Sequence, residues 1–267
     1  MRRPDPRPGL PALALLGCGL LACAEPAWDL PALERRHPAL ARVDGHRLAE
    51  VRPYYWPAGD RLTLFLCRWP DGSRIPVVLP KDASAAERAQ LETALQAWEE
   101  AGLGVRFERR DALEGVGIEM RLLDGMLSYA ANTVADCALD AEAAARGADP
   151  LPARMVLASI HLARGDPRLA GSALHELGHA LGFQGHPTRG DTAMRTGAAN
   201  VRRAGERAQR GEHRPDAALA ALYAVPSGTV LARRALPAGR SADVDALLAR
   251  ARQQGWIGPL LRVGDRE

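Results

Sequence analysis

The sequence predicts a mixed α/β domain in which a helix packs on a sheet, and three observations carry that prediction. Short apolar or alternating segments of strand length recur between residues 61 and 162. A well-capped amphipathic helix interrupts them, and a second helical segment, rich in small and apolar residues, follows the last of them. The 267 residues, 47% of them hydrophobic, are enough for one main domain with short appendages.

In chain order, "RLTLFLC" (61–67) and "IPVVLP" (75–80) read as strands, with Asp71 and Gly72 supplying turn chemistry between them. Ser84 and Glu87 form a capping box, Leu91, Leu95 and Trp98 recur at helical spacing, and Gly102 stands at a C-terminal cap. That helix turns one apolar face inward, Trp98 with it. "VRFERRD" (105–111), "GIEMRLL" (117–123) and "ARMVLASIHL" (153–162) are further strands, and a polar, alanine-rich loop separates the last two. Asp166 and Pro167, a cap followed by proline at the first helical position, open a helix that runs to Gly182. Near the C-terminus, Ser241 caps a short amphipathic helix with Val244, Leu247 and Leu248 as its stripe, either packed back on the domain or docking a partner.

The N-terminus has a different texture. Arg2, Arg3 and Arg7 precede the uncharged stretch "LPALALLGCGLLA", the layout of a secretory signal peptide over residues 1–22. The stretch is shorter than the roughly 20 residues a membrane span needs, a retained short anchor being the alternative. "LLAC" at Leu20 to Cys23 resembles the lipobox of bacterial lipoproteins. "LLGC" at Leu15 to Cys18 also fits, but cleavage there would leave an apolar core near the lower limit of about 7 residues, so Cys23 is preferred. The resemblance implies export, a membrane contact through lipid on Cys23, and a periplasmic or outer-membrane location, with surface display or secretion also open. Residues 23–60, with Pro26, Pro31, Pro38, Pro53 and Pro57 and little periodicity, read as a tether.

The formal net charge is +3, and the basic residues, arginine throughout except for Lys81, are spread along the whole chain, which argues against a nucleic-acid partner. Beyond the leader two cysteines remain, Cys67 and Cys137. In an oxidising compartment they are a disulfide candidate, two buried thiols being the alternative, and neither has Cys-x-x-Cys spacing.

The chemistry concentrates in "HELGHALGFQGH", residues 175–186. On a helix His175 and His179 emerge one turn apart on one face and can grip a single ion. Zinc suits them, since it accepts imidazole nitrogen and commonly keeps three protein ligands plus water when catalytic. Glu176 lies about 100° around the helix from His175, within reach of that water as a general base without being a ligand. Gly182 can end the helix and reverse the chain, and His186 follows the reversal. Satisfied structural histidines are the bland alternative.

These residues resemble the metzincin signature His-Glu-x-x-His-x-x-Gly-x-x-His, and "ALHELGHALGF" is similar to the matrixin-like branch of those zinc endopeptidases. The resemblance covers residues 61–226 and leaves 227–267 as an extension. It implies a zincin-type fold, a twisted mixed sheet with two long helices and a small C-terminal subdomain. It further implies one catalytic zinc held by His175, His179 and His186, Glu176 as base, a protein or peptide substrate, Met194 in a tight turn beneath the metal, and a closing helix at "DAALAALY" (216–223). Calcium is not assigned. The sequence departs from the signature at one point: three residues, Phe183, Gln184 and Gly185, separate Gly182 from His186 where the family has two. His186 can still ligate if the loop bulges, with Gly185 adopting backbone angles closed to other residues. Asp191 is the rival third ligand, since carboxylate oxygen also binds zinc.

Other readings stay beside this one. A catalytically silent zinc-binding surface lipoprotein would keep the histidines, although the retained Glu176 counts against it. A peptidase acting on cell-wall peptides would share the chemistry and change the substrate. His161, within an apolar strand, reads as structural before it reads as a second metal site. Arg195, Arg202 and Arg203 lie in a loop rich in arginine and glycine, where solvated charge is the plain reading and a preference for acidic substrates the functional one.

Overall fold

The computed structural model of the protein describes residues 29–58, 61–125, 131–187, 190, 192–214, 216–235 and 260–262. The candidate leader, Cys23, Asp191 and the Ser241 helix lie outside them. The chain enters through α1 (Leu30–Arg36), capped by Asp29, whose side chain accepts from the Ala32 N–H at 3.0 Å. Two short 3-10 segments follow, Pro38–Arg42 and Gly45–Glu50. The tether expected over 23–60 is therefore folded onto the domain from residue 29, with Leu33, Leu40, Leu48, Val51 and Tyr54 each no more than 1% exposed. Pro31 and Pro38 start helical turns instead of keeping the chain extended, as proline does where a first-turn N–H has no partner to lose.

β1 (Tyr54–Ala58) and β2 (Arg61–Phe65) form an antiparallel pair. β3 (Arg74–Val78) belongs to another sheet, so the Asp71–Gly72 turn leads from one sheet to the next and closes no hairpin. Next comes α2 (Ala85–Glu100), where the capping box is complete: Ser84 Oγ accepts from the Glu87 N–H at 3.3 Å and Glu87 Oε2 accepts from the Ser84 N–H at 2.9 Å. β4 (Arg106–Arg109) and β5 (Gly117–Leu123) lie where their patterns predict. The stretch that reads as a loop holds β6 (Asn132–Leu139) and α3 (Ala141–Ala145). β6 escaped the pattern because its buried positions are filled by Ala135, Cys137, Ala138 and Leu139, too small or too contiguous to alternate visibly. β7 (Ala153–Ala163) and α4 (Leu169–Ala180) follow, α4 beginning just beyond the expected Asp166. Asp166 is nevertheless used, accepting from the Arg168 N–H at 3.0 Å and from Ser172 Oγ at 3.0 Å. α5 (Ala198–Gln209), α6 (Ala217–Tyr223), β8 (Val230–Ala235) and β9 (Leu260–Arg262) complete the described chain.

The large sheet has six strands in the order β4-β3-β5-β7-β6-β9. β4, β3, β5 and β7 run parallel, β6 is antiparallel to β7, and β9 is parallel to β6. A smaller sheet, β1-β2-β8, is antiparallel, so the extension after 226 returns to pair with the first strands. This is the mixed α/β architecture, with α2 and α4 as its two longest helices apart from α5, that the sequence predicts. Cys67 and Cys137 form a disulfide with Cα atoms 6.3 Å apart, tying the chain after β2 to β6.

α4 is buried on all sides except at His179, the condition of a helix that is apolar all round. Leu91, Leu95 and Trp98 of α2 are each 0% exposed, and Trp98 Nε1 donates to the Leu174 carbonyl at 2.9 Å. α5 crosses α4 through glycines: a Cβ on Gly171 would lie 2.0 Å from the Val201 carbonyl oxygen, and one on Gly205 would lie 2.8 Å from the Gly171 nitrogen.

Candidate metal centre

A helix whose C-terminal end is buried must find partners for its last carbonyls, and in α4 they can be accounted for one by one. Gly178 O accepts from the Phe183 N–H at 3.1 Å, and His179 O from the Gly182 N–H at 3.0 Å and Gln184 Nε2 at 3.3 Å. Ala180 O takes Trp69 Nε1 at 2.8 Å, and Leu181 O takes the Tyr223 hydroxyl at 3.0 Å. The tyrosine of the closing helix thus fixes the end of the motif helix. Gly182 makes the turn at φ +109°, a region that favours glycine, and a Cβ there would sit 2.6 Å from the Cys67 carbonyl oxygen.

The inserted residue is absorbed next. Phe183 is 0% exposed, and its carbonyl accepts from His179 Nδ1 at 2.6 Å. The Gln184 carbonyl accepts from the Arg52 N–H at 2.8 Å. Gly185 does not have positive φ; it is required for a different reason, because a Cβ would lie 2.5 Å from the Glu50 carbonyl oxygen. The loop is thereby pressed against residues 50–52, and His186 swings to the two helical histidines.

The three Nε2 atoms converge, His175 to His179 at 3.3 Å, His175 to His186 at 3.2 Å and His179 to His186 at 3.1 Å. His175 Nδ1 lies 2.7 Å from the Ala193 carbonyl, which only accepts, so that ring donates from Nδ1 and turns a lone pair on Nε2 toward its neighbours. The Phe183 carbonyl imposes the same tautomer on His179. Converging lone pairs repel one another, and a cation among them removes the conflict. Tetrahedral zinc with bonds of about 2.0–2.1 Å sets its ligand atoms about 3.3–3.4 Å apart, so the spacing observed fits that ion. Carbonyl partners on Nδ1 are also the usual orienting contacts of ligating histidines.

Met194 is 0% exposed and packs on α4 at Gly178, where a Cβ would come 2.1 Å from its Sδ. Its neighbour Ala193 supplies the carbonyl that orients His175. Asp191 lies outside the described residues. His161 is spoken for elsewhere, its Nδ1 lying 2.9 Å from Asn132 Oδ1 on the adjacent strand.

Glu176 is 4% exposed and borders the same cleft as the three histidines. Burial pushes its carboxyl up to about 7, and a hydrogen bond from Thr133 Oγ1 to Oε2 at 2.7 Å opposes the rise. Burial also lowers all three histidines: His186 to about 4, with the His175 and Arg52 charges adding to the effect, and His179 well below its usual range. Neutral imidazole is the form a metal takes.

Thr133 and Arg52 both line the cleft, and neither was visible as a site residue in the sequence. Thr133 lay in a stretch without a strand pattern and Arg52 in a stretch without any pattern. The arginines expected in the loop sit on or beside α5, where Arg202 faces Glu206 at 3.7 Å and Arg203 donates to Asn200 Oδ1.

No family model matches the chain, and no curated protein does. Among solved structures the chain is similar to high choriolytic enzyme 1, a hatching enzyme zinc-protease from the medaka fish Oryzias latipes, at 27% identity and a TM-score of 0.29, over 45% of this chain and 50% of that one. It is also similar to the structure of myroilysin, at 18% identity and a TM-score of 0.28, over 47% of this chain and 56% of that one. The chain therefore spans about half the length of these structures.

Proposed function

We propose that this protein is a zinc-dependent endopeptidase of matrixin-like metzincin type. The observation that carries the reading is the convergence of three Nε2 atoms within 3.1–3.3 Å of one another, beside a buried carboxylate. His175, His179 and His186 would hold one zinc ion. Bound there, the ion supplies Lewis acidity, which acidifies water and polarises a peptide carbonyl.

The chain's own groups do the rest. Ala193 and Phe183 hold two imidazoles in the tautomer that presents Nε2. Glu176 takes a proton from the water whose oxygen attacks the carbonyl carbon, then delivers it to the amine nitrogen as the carbon–nitrogen bond breaks. The burial of Glu176 keeps bulk water from competing for that carboxylate. A silent zinc-binding protein would have no use for such a base.

The deciding experiment measures zinc stoichiometry and cleavage of an unfolded protein substrate for the wild type and Glu176→Ala. The variant is expected to keep its zinc and lose nearly all activity, because the carboxylate is a base and not a ligand. Equal activity in the two proteins would overturn the mechanism.

The N-terminal sequence supports export as a lipoprotein carried on Cys23. Labelling cells with a fatty-acid analogue tests it: the wild type should take the label and Cys23→Ser should not.

A further inference from the structure

Thr133 faces the cleft but has no part in the chemistry above. It stands second in β6, opposite Ile160 of β7, so a central strand of the sheet holds its backbone. Its Oγ1 lies 2.7 Å from Glu176 Oε2 and 3.0 Å from the Glu176 carbonyl oxygen. A hydroxyl has one hydrogen to give, and with Glu176 ionised, the state in which it acts as a base, both oxygens only accept. The shorter contact, to an ionised acceptor, is the stronger.

The other carboxylate oxygen is in a different position. Among the described residues no partner binds Glu176 Oε1, and the Glu176 side chain lines the cleft. The terminal torsion of a glutamate is broad and roughly two-fold, so without an anchor the two oxygens would exchange and the carboxylate plane would wander.

We propose that Thr133 is a positioning residue that fixes the Glu176 carboxylate through Oε2 and so assigns Oε1 as the oxygen that accepts the proton. The inference rests on the peptidase reading for its purpose and on the β6–α4 contact for its geometry. The constraint is specific to the hydroxyl. Valine has the same shape and would pack on β6 as well, yet it cannot donate, whereas serine can donate but lacks the methyl.

The test compares Thr133→Val and Thr133→Ser in the full-length, zinc-loaded protein. Thr133→Val should keep one zinc and a KM within about twofold of the wild type, while kcat falls roughly 10- to 100-fold, the scale expected when a reacting group is misplaced by a fraction of an ångström to one ångström. Thr133→Ser should recover most of kcat. A second readout does not depend on turnover. The carboxylate stretching band of Glu176, isolated as the infrared difference between a protein and the same protein carrying Glu176→Gln, should shift and broaden in Thr133→Val and stay in place in Thr133→Ser.

An unchanged band in Thr133→Val overturns the proposal whatever the activity. So does a kcat that survives the loss of the hydroxyl, or a serine variant as poor as the valine one, which would make the methyl's packing the cause. A wild type that binds zinc yet cuts no peptide, while the band still shifts in Thr133→Val, overturns the peptidase reading and leaves the anchoring of the carboxylate standing.

Discussion

The backbone N–H of Arg52 donates to the carbonyl of Gln184 at 2.8 Å, and this bond joins a proline-rich N-terminal stretch to the residue that makes the histidine motif one position too long. Two residues earlier, the Glu50 carbonyl closes over Gly185 so tightly that a Cβ would lie 2.5 Å away. The extra residue is thus a contact surface for residues 50–52, and His186 reaches its partners because the loop is held from outside.

Gly185→Ala tests that arrangement. The backbone there has ordinary angles, so the cost comes from collision with Glu50 and not from φ. The loop must move off residues 50–52 and carry His186 with it. Zinc affinity, measured by competition with a chromophoric chelator, should fall about 10- to 100-fold, as it does when groups supporting a metal ligand are disturbed. Affinity equal to the wild type would mean that His186 is placed by something else.

A second test addresses the helix end. In Tyr223→Phe the Leu181 carbonyl loses its hydroxyl donor at 3.0 Å while the ring still packs below the Arg68 guanidinium, 4.8 Å from the centroid. Leaving one buried carbonyl unsatisfied costs about 1–3 kcal/mol, to be read from urea unfolding of the two proteins. No change would show that water replaces the hydroxyl.

Acid sensitivity should trace in part to His213. It is 5% exposed, packs edge-on to Trp98 with centroids 4.6 Å apart, and leaves Nε2 buried without a partner. Burial, then Arg207 and Arg214, lower it from 6.5 to about 4. Between those values the unfolded chain binds the extra proton and the folded one does not, so stability is full above pH 6.5 and declines as pH falls toward 4. The shift corresponds to about 3 kcal/mol. His213→Phe should flatten that part of the stability curve, seen in the difference between wild-type and variant unfolding free energies from pH 7 to 4. A pH-independent difference would sink the assignment.

The disulfide spans a sequence separation of 70. A loop of that length removes about 4 kcal/mol of unfolded-chain entropy. Replacing Cys67 and Cys137 by alanine should lower unfolding stability by an amount of that order, and reductant should then leave the variant unaffected. A variant as stable as the oxidised protein would contradict it.

How much of this was legible in the sequence depended on the kind of packing. α2 could be read to the residue because Ser84, Glu87, Leu91 and Leu95 carry its cap and its face in side chains. The histidines of α4 were legible from spacing alone. α5 was not, because its buried face consists of Ala204, Gly205 and Ala208, which stand at helical spacing but are too small to mark it as an apolar stripe in an arginine-rich stretch. β6 was hidden for a similar reason, and with it Thr133. Arg52 was hidden because its stretch is irregular: its apolar residues fill gaps between elements and so follow no period.

β2 has one neighbour beside it in sequence and the other far away, Arg61 standing opposite Ala235. Pairing over such a span is slow compared with local contacts, while synthesis proceeds at about 5–20 residues per second. The motif helix therefore emerges well before Tyr223 can reach Leu181 or β8 can seal the smaller sheet. A growing chain carries the three motif histidines before it has the hydroxyl that fixes the end of their helix. For a molecule proposed to cut polypeptides, that order of assembly makes the blade before the handle that steadies it.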